Sequence, residues 1–492
     1  MSFKKITIAL FALLFLAACS ENEVKRDMNE HLSAYLNDNK EVVAFGNAHI
    51  NTILEKADYE SEDLLNVLLG SQIARYETLI DVKGPILYAA HGPLNNDGAP
   101  EKVVLFVRVK DQAELKDYLQ SEMSFDLNEA NGFEYVSSGD MVLGFKQHLA
   151  VIVLQANNDN EVKSLTDAFK RADGKVSTGK IAELLKSNSG DIQMGVSLAN
   201  LYETASGDLK TAPKSKQQNL ETLLKDAFVS SSVKFEEGRA VIEMKNMFSK
   251  KLQEKMFLAG NSSAPILKEL GAGTPRMGLS VNMDVKKMED LVNELSPNAL
   301  NKGFGNQYLM MKLATGSKDL NDLWDGKVGM LMFGEPDASG AFTPEVNAYL
   351  GIREKGRDAL ANFESMGVGA GQIPGLPPFT IGDKGISIMS KPIVANEKLN
   401  LPVGAENFGK SGISFFLNLE GLNPDDIAEM FEMEELEVIL KVAKFISFEL
   451  GNDGGKLIIT AKDGKENVLK QALTEGMKVV KGNMGNSGFN FI

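Results

Sequence analysis

The sequence predicts an α+β protein: two tandem, pattern-similar domains, each a mostly antiparallel sheet with helices on one face. Three observations predict it. Short apolar runs bracket tight turns, as at Phe133–Tyr135 with Met141–Phe145, Phe379–Ile381 with Gly385–Ile388, and Ile446–Leu450 with Leu457–Thr460. Strands joined as hairpins run antiparallel. Other stretches carry apolar residues at helical spacing, as at Leu115, Tyr118 and Leu119. The same succession of elements then runs through the chain twice.

The first copy opens with the strand pattern Glu41–Asn47, followed by helical spacing at Ile50, Ile53 and Leu54. The second opens with Arg276–Asn282, followed by Val285, Met288, Leu291 and Val292. In both, a short strand runs to an Asn and turns into an amphipathic helix. Lys83–Ala89 and Asp325–Met332 are each a turn and an apolar strand. Val103–Val109 leads to a helix from Asp111, and Val346–Ile352 to one from Glu354. Asp111 and Glu114 have capping-box spacing. Ala359, Leu360 and Phe363 take the role of Leu115, Tyr118 and Leu119.

The hairpin Phe133–Phe145 corresponds to Phe379–Ile388, and Gly190–Leu198 to Ser411–Leu419. Ser232–Phe235 and Ala240–Met244 flank Glu237-Gly238 as Ile446–Leu450 and Leu457–Thr460 flank Asn452–Gly455. Each is an alternating pair around a Gly-containing turn. The breaker-rich stretch Gly260–Pro265 places the boundary, giving one domain over 40–260 and another over 261–492. At Asn423–Asp426, Asn423 caps, Pro424 starts a helix and two acids meet its positive end. Gly367–Pro378 reads as a surface loop.

Composition narrows the function. The 52 Lys+Arg against 67 Asp+Glu give a net charge of −15, which argues against a nucleic-acid binder. Lys4 and Lys5 precede an apolar run, Ile6–Leu16, that is too short to span a membrane and matches a signal-peptide core. Residues 1–18 are read as this signal peptide and 19–39 as a tether. The run ends in Leu16-Ala17-Ala18-Cys19, which resembles the lipobox of bacterial lipoproteins. That resemblance implies a diacylglyceryl group on Cys19. As Cys19 is the only cysteine, its lipidation excludes disulfides, thiolate metal sites and Cys nucleophiles together.

Chemical candidates are few. Gly404–Ser411 fits the phosphate-loop pattern G-x-x-x-x-G-K-S, but that motif works only where a helix starts at the Lys-Ser pair. Here a strand-like run follows, so no nucleotide site is expected. His31, His49, His91 and His148 have no helical metal-ligand spacing to one another. His91 is read as a turn histidine at a strand end, with Glu335 at the corresponding place in the second copy. Asn95–Gly98 and Asn452–Gly454 lack the full calcium-loop pattern. The methionines 310, 311, 330, 332, 430 and 433 read as core filler. One Trp and few aromatics argue against a glycan-stacking platform. No catalytic, cofactor-binding or metal residues are assigned.

The lipobox, the acidic residues Glu21 and Glu23 and the repeated strand–Asn–helix opening resemble a Bacteroidetes outer-membrane lipoprotein family of unknown function. The resemblance spans nearly the whole chain. It implies Cys19 as lipid site and the duplicated α+β architecture, and offers no catalytic residues. Ser20 after the Cys implies the outer membrane, on either its periplasmic or its cell-surface face. The expected role is a non-enzymatic, membrane-anchored interaction or structural module of the envelope with a protein partner. The alternatives are a lipoprotein holding a peptide or lipid between the two domains, and an unrecognised extracytoplasmic hydrolase.

Overall fold

The computed structural model describes residues 27–486 outside 62–65, 67–69, 96–97, 156–160, 187–189, 205–213, 261–266, 268–269, 296–318, 336–342, 359–378, 391–397, 425–426 and 428–436. The signal peptide, Cys19, the Gly367–Pro378 loop, the helix residues Ala359, Leu360 and Phe363, and methionines 310, 311, 430 and 433 lie outside the described residues. The chain is α+β, and it divides into two compact units. The first holds residues to Gly207 with Leu224–Phe235 and Leu469–Thr474; the second holds the rest.

The first unit contains strands β1 (Val42–Ala48), β2 (Ile86–Leu94), β3 (Pro100–Arg108), β4 (Asn128–Ala130), β5 (Phe133–Ser138), β6 (Met141–Lys146), β7 (Leu149–Gln155), β8 (Ile192–Ser197) and β9 (Phe228–Glu236). They form an antiparallel sheet in the order β4-β5-β6-β7-β3-β2-β1-β8-β9. Its helices are α1 (Met28–Leu36), α2 (Ile50–Ala57), α3 (Ser71–Leu79), α4 (Gln112–Asp117), α5 (Glu161–Ala172), α6 (Lys180–Lys186) and α7 (Leu198–Thr204). Helix α1 runs through the segment read as tether, with Leu32 and Tyr35 buried in the core. The Asp111 carboxylate caps α4, accepting from the N–H groups of Ala113 and Glu114.

The second unit contains β10 (Arg239–Met247), β11 (Met277–Asn282), β12 (Trp324–Phe333), β13 (Glu345–Ile352), β14 (Phe379–Ile381), β15 (Gly385–Met389), β16 (Ile413–Asn418), β17 (Ala443–Gly451) and β18 (Gly454–Ala461). Their order is β14-β15-β13-β12-β11-β16-β17-β18-β10, again antiparallel throughout. The expected boundary near Gly260 therefore moves. Strand β10 pairs with β18 from Arg239 to Lys245, so the division falls between Phe235 and Glu236.

Seven strands of each unit share one order: β6-β7-β3-β2-β1-β8-β9 and β14-β15-β13-β12-β11-β16-β17. In each, the opening strand lies between the second strand and a late one. This order changes one sequence correspondence. The hairpin of β14 and β15 occupies the place of β6 and β7, not of β5 and β6, because β7 and β15 are the strands that flank β3 and β13. Each opening strand keeps its buried Asn. Asn47 donates to Gln193 Oε1 at 2.7 Å, and Asn282 to the Ala259 carbonyl at 2.8 Å.

The expectation of helices on one face is corrected. Neighbouring residues of a strand point to opposite faces. Leu105 packs with Tyr76, Leu115 and Leu119 on one side, while the Phe106 ring meets Tyr35 of α1 at 5.0 Å on the other. In the second unit, Phe416 and Leu417 belong to separate buried clusters, as do Leu331 and Met332. Near-continuous apolar runs such as Val103–Val107 are the sign of a strand covered on both sides.

Candidate ligand-binding site

A pocket of about 260 Å³ opens in the first unit, where α1, β2, β3 and α5 meet. Its floor follows from strand alternation. Leu87, Ala89 and His91 lie on one face of β2, directly opposite Phe106, Val104 and Lys102 of β3. The row changes from apolar to polar toward the end of the strand pair, so the last pair is His91 and Lys102.

Helix α1 supplies Tyr35. Met28, Leu32, Tyr35 and Leu36 form its buried face, and Asn39 and Glu41 follow at its end. Helix α5 closes the other side. Leu165, Ala168, Phe169 and Ala172 are buried at helical spacing, with Leu165 and Phe169 packed over Gly144 of β6. Lys163, Asp167 and Arg171, four residues apart, therefore share a flank that borders the pocket. Ala168 is small enough to leave the space open.

The buried polar centre is Tyr35 with His91. The Tyr35 hydroxyl lies 2.6 Å from His91 Nε2, and with the Glu41 carboxylate beside Nδ1 the arrangement that suits both contacts has the ring proton on Nδ1 and the hydroxyl donating to Nε2. Nδ1 is buried and makes no hydrogen bond among the described residues; Glu41 Oε2 lies 3.5 Å away. Burial, with Lys102 and Arg171 nearby, pushes the His91 imidazole down to about 3. Burial also pushes the Tyr35 hydroxyl above its ordinary range, with Glu41 and Asp167 adding to the effect. Both groups are neutral near pH 7.

Charge surrounds this neutral pair. Lys102, Lys163 and Arg171 line the pocket with Glu41 and Asp167. Among the described residues, none of the three cations forms an ion pair or hydrogen bond with another side chain. Lys56, by contrast, donates to both oxygens of Asp191 at 2.7 Å.

The remaining sequence candidates fall elsewhere. His91 is a strand residue, not a turn residue, because the β2–β3 pairing continues past it. His31 Nδ1 lies 3.2 Å from the Ala172 carbonyl, His49 precedes α2, and His148 sits in the β6–β7 turn. Among the described residues, no three His, Cys, Asp or Glu side chains are grouped as metal ligands. Glu335 pairs with Arg276. Lys410-Ser411 leads into strand β16, and Lys410 Nζ donates to Asn407 Oδ1 at 3.0 Å. Met332 is buried core, and Met330 packs against the same cluster. Sequence reading missed Tyr35, Lys102, Lys163, Asp167 and Arg171. The spacing Leu165-Ala168-Phe169-Ala172 was the available sign of α5 and its charged flank.

No family model matches the chain, and no curated protein matches it. Solved structures of TP0453 align weakly. Crystal form I aligns at 8% identity and TM-score 0.28, covering 46% of this chain and 81% of that one. Crystal form III gives 8% and 0.28 over 51% and 90%. Likeness at this level assigns neither family nor function.

Proposed function

We propose that the chain is a non-enzymatic, lipid-anchored protein of the bacterial outer membrane that binds a small ligand in the pocket of its first unit. The observation that carries the binding role is the set of three cations that, among the described residues, have no anionic side-chain partner, gathered around the neutral Tyr35–His91 pair. Small ligands are held in concavities where a few polar groups converge, and this one is more polar than most. The anchor rests on Leu16-Ala17-Ala18-Cys19 after its basic and apolar leader. The repeated strand order supports reading the two units as an internal duplication.

A catalytic reading has less support. Glu41, His91 and Tyr35 stand in the order of an acid–base relay, but general acid–base catalysis works best with pKa values near the operating pH. Here burial pushes the His91 pKa down and the Tyr35 pKa up, so both groups stay neutral at pH 7.

Two measurements test the proposal. Cys19→Ala should move the protein from the membrane to the aqueous fraction; unchanged membrane retention refutes the anchor. Native mass spectrometry of the full chain, extracted in detergent, should show a bound small mass that is reduced by Arg171→Gln. No bound mass in repeated preparations refutes the binding role.

A further inference from the structure

We propose that the pocket takes a compact, hydroxylated organic acid with one negative charge, the class to which sugar acids belong. This rests on the ligand-binding reading and names the chemistry of that same site.

Three features of the pocket select this class. The first is net charge. Lys102, Lys163 and Arg171 face Glu41 and Asp167, leaving one positive charge in excess. This excess occurs in a chain whose own balance is −15. The general field repels anions, so the local cluster is what favours one. A single acid group neutralises the site.

The second feature is the supply of hydrogen-bond partners. The Arg171 guanidinium presents a planar fork suited to a carboxylate. Asp167 and Glu41 are acceptors only, and Asp167 has no side-chain partner among the described residues. Both are exposed and can accept from donors on the ligand, which hydroxyl groups supply. Asn39 and Ser164 also line the space. The His91 Nδ1–H is buried and makes no hydrogen bond among the described residues, leaving a donor for a ligand oxygen. A bare hydrocarbon acid would displace water from the solvent-exposed Glu41 and Asp167 carboxylates without replacing its hydrogen bonds.

The third feature is size. The volume of about 260 Å³ lies just below the usual range for ligand pockets, which admits one compact molecule. The floor is polar where the ligand would rest, because His91 and Lys102 end the apolar row of β2 and β3.

Isothermal titration calorimetry on the full chain in detergent tests this with four probes. Galacturonate carries the acid and the hydroxyls. Galactose lacks the charge, propionate lacks the hydroxyls, and galactarate carries a second acid group. Galacturonate should bind, with galactose and propionate each weaker by about tenfold or more, the effect of losing roughly 1.4 kcal/mol of interaction. Arg171→Gln and Lys163→Gln should each weaken galacturonate without altering the thermal unfolding curve. Equal binding of galactose overturns the charge assignment, and equal binding of propionate overturns the hydroxyl assignment. Galactarate binding tighter by about tenfold or more overturns the single-charge match. If galacturonate fails while native mass spectrometry shows another bound mass, this inference falls and the ligand-binding reading stands. If no probe binds and no mass is found, both fall.

Discussion

The Tyr35 hydroxyl donates to His91 Nε2 at 2.6 Å, joining the first helix of the described chain to its second strand. Both side chains are 3% exposed. With the Glu41 carboxylate beside Nδ1, the bond fills the one in-plane lone pair of the neutral ring.

Tyr35→Phe removes the donor and leaves that nitrogen buried without its partner. The expected cost is about 1–3 kcal/mol, the penalty for one unmet buried acceptor. Urea unfolding followed by circular dichroism checks it. No change in midpoint would mean that water replaces the hydroxyl.

His91 also makes a pH dependence. In the unfolded chain the imidazole takes a proton below its ordinary value near 6.5; in the fold it stays neutral to about 3. The unfolded state therefore binds more protons between these values. The stability is fully present above about pH 6.5 and is lost as pH falls toward 3, by about 2 kcal/mol at pH 5. The groups facing His91 are Tyr35 and Glu41 near α1, Lys102 on β3, and Lys163, Asp167 and Arg171 on α5. His91→Gln should flatten this part of the profile, measured as unfolding midpoints from pH 4.5 to 7.5.

Gly46 marks a close approach in the middle of the first sheet. A Cβ there would lie 1.9 Å from the Gln193 carbonyl oxygen and 2.8 Å from the Tyr88 hydroxyl. Tyr88 uses that space to donate to the Gln193 carbonyl at 2.9 Å. Gly46→Ala should cost about 3 kcal/mol through overpacking and the displaced hydrogen bond. A melting temperature within error of the parent would show that the strands separate more easily than their pairing implies.

Asp191 ties three segments together. Its carboxylate accepts from Lys56 Nζ at 2.7 Å on both oxygens and from the Phe235 N–H at 2.7 Å. The Asp191 side chain is 8% exposed and that of Lys56 30%. Asp191→Asn should cost about 2 kcal/mol, less than for a fully buried pair because solvent screens the lysine. A double-mutant cycle with Lys56→Met should show coupling; additive effects would assign the cost to the backbone contact alone.

Local signals made much of the fold legible. Alternating runs around short turns marked the hairpins β5–β6, β14–β15 and β17–β18. The Asp111 cap was readable because its side chain bonds only two and three residues ahead. Helix α5 was readable in principle from its four buried positions. The coverage of both sheet faces was hinted at by Val103–Val107, but the alternating hairpins pointed the other way.

The pocket was not legible in this manner. Tyr35, His91, Lys102 and Arg171 come from four separate segments, and each has an ordinary local role on a helix or strand. His91 looked like a turn residue because Gly92 and Pro93 follow it, yet the cross-strand pairing of His91 with Lys102 keeps it in the sheet.

By itself the sequence determined the α+β class, the antiparallel hairpins and the strand–Asn–helix opening of each unit. These depend on periodicity and turn chemistry over a few residues, and such forces act within a segment. Tertiary structure alone decided that β10 belongs with β18, that both sheet faces are covered, and that three cations gather around a neutral Tyr–His pair. Those outcomes depend on which distant surfaces bury each other, and on the local field that burial creates.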